Sequence, residues 1–260
     1  MTQILRFEKP EEQVAEPNGF VHTKTADAIL LAIAKVRSQD GPALTYVSGA
    51  YGCGKTEALW NFESRNFDSA LYVSVARGEG NPYHVGNAIL RLFTPHAATV
   101  SDRSVLRQRM GYCLGPRRIL LVDEAQNLFQ RDKHSGIRGS SFGWLVDASQ
   151  ECGFDLVLCG DPTLHGIIAM EFPALQSRAE SPVIIKSISG RDVAAIAASH
   201  GVSGGPELAL LSAVAGLPGG LRAVRKVLDQ AAIFAKFMQV TPAHLKAAVA
   251  HLNLQPREVK

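Results

Sequence analysis

Apolar residues along this chain follow two spacings up to about residue 188 and only one after it. Short apolar runs read as strands: 43–48, 70–75, 119–122, 154–159 and 183–186. The run Ile119-Leu120-Leu121-Val122 has no polar alternation at all, which suits a strand buried on both faces of a parallel sheet. Between these runs the spacing is helical. Ile29, Leu30, Ile33 and Val36 share one face over residues 25–37. Leu106, Met110 and Leu114 form an inward stripe on a helix for which Ser101 is the expected cap. Asn81-Pro82 supplies a cap and first turn for a helix running to about Phe93. Residues 142–151 and 164–170 read as two more helices.

Breakers separate these elements. Asp40-Gly41-Pro42 ends the first helix and opens the first strand. Residues 94–100 and the polar Gly/Ser stretch 133–141 read as loops, and Gln176-Ser177-Arg178 as a basic turn. Five strands alternating with helices predict an α/β fold with a parallel, doubly covered sheet. Beyond Ser189 strand signals stop. Helices at about 190–199, 206–214, 219–236 and 242–252 predict a small helical subdomain, the last helix opened by Thr241-Pro242. The expected division is an irregular arm (1–20), an α/β subdomain (21–188) and a helical one (189–260).

The chemistry enters at the end of the first strand. Gly49-Ala50-Tyr51-Gly52-Cys53-Gly54-Lys55-Thr56 completes G-x-x-x-x-G-K-[ST] between a predicted strand and a predicted helix. Glycines let the backbone curl until N–H groups point inward at phosphate oxygens, and the helix N-terminus aims its positive end the same way. Gly49, Gly52, Cys53, Gly54, Lys55, Thr56 and Glu57 are the expected nucleotide-binding positions. Lys55 can reach the β- and γ-phosphates, and the Thr56 hydroxyl can ligate Mg2+.

A second motif agrees with the first. The strand over 119–122 delivers Asp123 and Glu124 at its C-terminal end, where open α/β sheets place their ligand crevices. Asp123 is expected to hold Mg2+ directly or through water, and Glu124 to polarise the attacking water as a general base. An apolar run ending in Asp-Glu is weak alone and strong beside the glycine loop. Together they predict binding and Mg2+-dependent hydrolysis of a nucleoside triphosphate, ATP. A kinase fits less well, because a water-activating Glu124 suits hydrolysis better than transfer to an acceptor.

Bulk composition changes little. With 46% hydrophobic and 20% charged residues the chain reads as globular. A net charge of +3 permits an acidic partner such as nucleic acid without demanding one. Cys53, Cys113, Cys152 and Cys159 have neither paired nor metal-ligand spacing, so reduced thiols in a cytoplasmic protein are expected. No apolar stretch is long enough for a bilayer, and the N-terminus lacks a signal-peptide pattern.

Residues 20–253 resemble the AAA+ ATPases. That resemblance implies a five-stranded parallel sheet in the order 5-1-4-3-2, a C-terminal helical lid, and ATP bound at a subunit boundary. Within the family, the chain is most similar to the transposition regulators of the phage Mu B, TnsC and TniB type. Phe20-Val21-His22-Thr23, the run Asp123-Glu124-Ala125-Gln126-Asn127-Leu128, the strand end Val157-Leu158-Cys159-Gly160 and the short lid carry this likeness. Secretion-associated ATPases of the ExeA type share these features. The transposition likeness implies an ATP-dependent homo-oligomer, ring or filament, on double-stranded DNA without sequence preference, with a transposase as partner.

The resemblance also implies further site residues. Arg178 sits where the family keeps an arginine that reaches a neighbouring subunit's γ-phosphate; the plainer alternative is a surface ion pair with Glu180. Arg222 matches the lid arginine that contacts nucleotide, or else lies on a solvated face with Arg225 and Lys226. Asp161 takes the polar sensor place, where the family has Asn, Thr or Ser, and equally reads as a helix cap before Pro162. A carboxylate there repels phosphate and puts efficient hydrolysis in doubt, which leaves an ATP-gated scaffold as a rival. Arg77, Thr99, Arg103 and Arg107 are the expected DNA contacts, their alternative being plain solvation of the surface.

Overall fold

The computed structural model describes residues 19–132, 136–138 and 140–254. In chain order its elements are α1 (Lys24–Arg37), β1 (Leu44–Gly49), α2 (Lys55–Arg65), β2 (Ala70–Ser74), α3 (Pro82–Phe93), α4 (Arg103–Leu114) and β3 (Ile119–Asp123). A 3-10 turn (Ala125–Leu128), β4 (Gln130–Asp132), β5 (Gly136–Arg138), α5 (Ser140–Cys152), β6 (Asp155–Gly160), α6 (Pro162–Glu171), α7 (Pro173–Arg178) and β7 (Val183–Ile185) follow. The remainder is α8 (Gly190–Ala198), α9 (Gly205–Ala215), α10 (Gly220–Phe234) and α11 (Pro242–His251). The expected arm lies outside the described residues except for Gly19 and Phe20.

The main sheet is parallel, in the order β2-β3-β6-β1-β7. Numbered among themselves its strands run 2-3-4-1-5, which is the expected 5-1-4-3-2 read from the other edge. Leu44, Tyr46, Leu120, Val122, Leu156 and Leu158 form one cluster with Val85 and Ile89 of α3, Leu106 and Met110 of α4, and Phe142 and Leu145 of α5. Residues of the opposite parity, Val47, Leu121, Val157 and Cys159, are equally buried, as are Ile29 and Ile33 of α1 and Leu59 of α2. Both sheet faces are therefore covered, and this erases polar alternation from the central strands. Each such side chain contributes about 1.5–3 kcal/mol by leaving water.

Three expectations need correction. The cap of α4 is Asp102, not Ser101: its Oδ1 accepts from the Ser104 N–H at 2.8 Å and the Val105 N–H at 3.1 Å. The Ser104 hydroxyl's bond to the same oxygen first, and then these backbone bonds, hold the Asp102 carboxyl below its ordinary pKa. The basic turn 176–178 is the second half of α7, which starts at Pro173 with proline's helical φ already set. The 133–141 loop contributes a strand: β5 pairs antiparallel with β4. Residues 133–135 and 139 lie outside the described ones.

The chain divides into two compact units, Thr25–Ile188 and the residues from Ser189 onward with 19–24. In the second, α10 packs against α8, α9 and α11. Leu221, Val224, Val227, Leu228 and Ala231 bury its inner face at helical spacing. Capping boxes start α8 (Ser189 with Asp192) and α11 (Thr241 with His244).

Within the α/β unit the 94–100 loop is fastened by one buried amide. Asn87 Nδ2 donates to the Val100 carbonyl at 2.9 Å, and its Oδ1 accepts the Val100 N–H at 2.8 Å. Asn87→Ala leaves both backbone groups unpaired. The variant is expected to lose about 1–3 kcal/mol of stability, read as a lower urea midpoint at unchanged slope; an unmoved midpoint would contradict this role.

Candidate functional site

Parallel strands bring their C-terminal ends to one edge. Ser48 pairs with Gly160, Val122 with Leu158 and Ser74 with Asp123, so the segments after β1, β3 and β6 emerge side by side. The glycine loop leaves β1 at Gly49, where a Cβ would stand 2.8 Å from Ile185 Cβ of the neighbouring β7. Gly52 and Gly54 hold φ of 73° and 98°, which a side chain would strain. Gly54 caps α2 through its backbone alone. Among the described residues, the N–H groups of Gly52, Gly54, Thr56 and Glu57 have no hydrogen-bond partner. Unpaired donors around a helix N-terminus form a cradle for an anion.

Lys55 is buried, and its Nζ donates to the loop carbonyls of Gly49 at 2.7 Å and Ala50 at 2.9 Å. Cys53, beside it, is 1% exposed, and burial pushes its thiol above the ordinary range. Thr56 Oγ1 donates to Asp123 Oδ2 at 2.7 Å. Tyr72 of β2 donates to the same oxygen at 3.0 Å, and Asp123 Oδ1 accepts the Glu124 N–H at 2.9 Å. Burial first, then the Asp123 charge, drive the Tyr72 phenol well above its ordinary pKa, so it stays a donor. Thr56 and Asp123 together offer only hard oxygens, the donor set that suits Mg2+. The residues present thus fit a phosphate chain with its metal.

Glu124 takes a left-handed backbone, φ 53°, and is half-buried. Its Oε2 accepts from Gln126 Nε2. Asp161 serves as the cap of α6: its Oδ1 accepts from the Thr163 N–H at 2.9 Å and the Thr163 hydroxyl at 2.5 Å. Its other oxygen faces the Tyr51 hydroxyl at 3.4 Å. Desolvation, followed by the charges of Asp161 and Glu124, raises the Tyr51 pKa, and Arg77 opposes them. Sequence reasoning missed Tyr72, Gln126 and Tyr51. Gln126 had a signal, two residues past the carboxylate; Tyr72, in the middle of β2, had none.

The remaining expected residues scatter. Arg178 ends α7, exposed; among the described residues its guanidinium has no ion pair with Glu180 or with any other side chain. Arg222 is exposed in the first turn of α10. Thr99 accepts from Arg91 at 3.4 Å, and Arg103 lies over the Tyr83 ring at 5.3 Å. Tyr83, Arg91 and Thr99 line a groove of about 580 Å³. Arg107, expected as a DNA contact or a solvated surface residue, pairs with Glu151 of α5 at 2.7 Å. Arg77 is exposed and its charge acts on Tyr51 of the glycine loop. Among the described residues no helix is long and apolar enough to cross a membrane.

Two family models match the chain: the AAA domain over residues 37–168, and the Mu B transposition protein, C terminal, over 177–252. The ATP-dependent target DNA activators B of Escherichia phages Mu and D108 are each 27% identical over 249 residues, covering 93% of this chain and 76% of theirs. Among solved structures, the Aeropyrum pernix ORC1 protein in complex with DNA aligns with a TM-score of 0.61 at 19% identity. That alignment covers 91% of this chain and 66% of the ORC1 protein, just under two thirds of its length. The Aeropyrum pernix ORC2 protein gives a TM-score of 0.65 at 16% identity, over 93% and 71%. At these identities the two structures speak to the fold alone. The domain match over the phosphate loop and carboxylate strand spans half of the chain and means that the chain belongs to the AAA-domain family, with a C-terminal part that is similar to the Mu B transposition protein.

Proposed function

We propose that this protein is an ATP-dependent regulator of DNA transposition that assembles on duplex DNA without sequence preference and presents it to a transposase. The observation that carries the proposal is the pairing of Thr56 with the buried Asp123 carboxylate, 2.7 Å apart, under a loop of unpaired N–H donors. The activators that the chain resembles along most of its length are named for ATP and target DNA. The two together favour nucleotide-controlled DNA binding.

Each residue then has a task. The N–H groups of Gly52, Gly54, Thr56 and Glu57 donate to phosphate oxygens, and Lys55 exchanges the Gly49 and Ala50 carbonyls for them. Mg2+, when bound, offsets the phosphate charge; Thr56 and Asp123 would hold it. The Glu124 carboxylate accepts a proton from the attacking water. Arg178, exposed and unpaired among the described residues, suits a charge supplied to a neighbour's site, where a guanidinium stabilises the transferring phosphoryl group. Arg222 is a further nucleotide contact in this reading. Thr99 and Arg103, with Arg77, bind DNA phosphates, which gives affinity without reading bases.

One observation favours a second reading, a slowly hydrolysing ATP-gated scaffold. The Asp161 carboxylate accepts bonds and has none to give a γ-phosphate, unlike Asn or Thr. Phosphate release separates the two readings, and a nucleotide-dependent gel shift separates both from an ExeA-like secretion ATPase.

With ATP, the protein is expected to form sedimentable complexes on random-sequence duplex, which weaken steeply between about 50 and 200 mM salt. Lys55→Ala should abolish them; binding indifferent to nucleotide would count against the proposal. Glu124→Gln should keep ATP-dependent complexes and stop phosphate release. Mixing Arg178→Ala with Glu124→Gln protein, each inactive alone, should restore some turnover through mixed boundaries. No recovery would mean that Arg178 does not act across subunits.

A further inference from the structure

Gln126 joins two strand ends through one amide. Its Nε2 donates to Glu124 Oε2, and its Oε1 accepts the Asp161 N–H at 3.0 Å. The orientation of the amide is forced, since a carboxylate only accepts and a backbone N–H only donates. Glycine makes room for it: a Cβ on Gly160 would lie 2.6 Å from Gln126 Oε1. The backbone on either side is equally constrained. Glu124 holds a left-handed φ of 53°, which non-glycine residues adopt only rarely. Asn127 Nδ2 donates to the Val75 carbonyl at 2.8 Å, and a Cβ on Gly80 would fall 1.7 Å from the Asn127 oxygen. With its main chain fixed on both sides, Glu124 keeps only its side-chain torsions, and Gln126 takes hold of those.

The amide also extends the connection. Asp161, whose N–H it receives, accepts the Tyr51 hydroxyl at 3.4 Å, and its carbonyl accepts from Ser48 Oγ at 2.9 Å. A line of hydrogen bonds therefore runs from Glu124 through Gln126 and Asp161 to Tyr51 in the glycine loop. A side chain that merely filled space would need neither end of this line.

We propose that Gln126 is a positioning residue for hydrolysis, which aims the Glu124 carboxylate and ties its direction to the β6 end and the glycine loop. This rests on the function proposed above, in which Glu124 is the base. Gln126 touches the base and not the reacting atoms, so its loss shows in turnover and not in nucleotide affinity.

The test compares steady-state ATP hydrolysis by wild type, Gln126→Met, Gln126→Glu, Glu124→Gln and the double variant Glu124→Gln/Gln126→Met. Methionine keeps the volume and loses both bonds; glutamate keeps the length and loses the donor. Both single variants at Gln126 should lower kcat about 10- to 100-fold and leave KM within about twofold, at an unchanged melting temperature. The double variant should be no slower than Glu124→Gln alone, because the two residues act as a unit. Unchanged kcat in a folded Gln126 variant, or a fall in melting temperature and kcat for methionine with full activity for glutamate, would overturn the positioning role while sparing the proposed function. A wild type without turnover, or Glu124→Gln as fast as wild type, would overturn that function and this inference with it.

Discussion

A single buried carboxylate organises the site. Asp123 is 3% exposed at the end of a strand whose other members are fully apolar. A charge in such surroundings is tolerated only when hydrogen bonds replace the water it has lost. Three donors do so: the Thr56 hydroxyl from α2, the Tyr72 hydroxyl from β2 and the Glu124 N–H. Meeting that demand fixes where α2 begins relative to β3, and so aims the glycine loop. The next residue, Glu124, takes a left-handed backbone while its N–H donates to Asp123, and the proposed base stands at the strand edge. Removing Asp123 would relax loop, strand end and base together.

Much of this was legible in the chain. The elements follow from apolar runs and from breakers such as Asp40-Gly41-Pro42, whereas the sheet order came only with the resemblance to the AAA+ ATPases. Gly49, Gly54, Lys55, Thr56, Asp123 and Glu124 were identifiable because their spacing reflects a backbone geometry that few other sequences satisfy. What escaped is what depends on contacts between distant segments. Tyr72 reaches Asp123 from the neighbouring strand, and no local pattern marks a strand tyrosine as a donor to a carboxylate 51 residues away. Arg107 read as a DNA contact or a solvated surface residue until α5 brought Glu151 against it. The α4 cap went to Asp102 over Ser101, a choice between adjacent cap-forming residues that only the helix register decides.

Asp161 shows a conflict of roles at one position. Its carboxylate starts α6 by accepting the Thr163 N–H, a bond that an Asn or Ser would also make. Unlike Asn or Ser, it adds negative charge beside the glycine loop, and the raised Tyr51 pKa registers that charge. On the proposed reading, the phosphate cradle meets an unfavourable neighbour for the terminal phosphate. Slow turnover with firm binding would suit the proposed role, in which the protein stays assembled while nucleotide lasts.

The most direct measurement is an electron-microscopy reconstruction with a non-hydrolysable ATP analogue and duplex DNA. The account predicts the analogue's phosphates within the curl of Gly49–Thr56, the adjacent subunit's Arg178 at the terminal phosphate, and DNA along the Arg103 side. A nucleotide enclosed in a lone subunit, with Arg178 facing solvent, would contradict it.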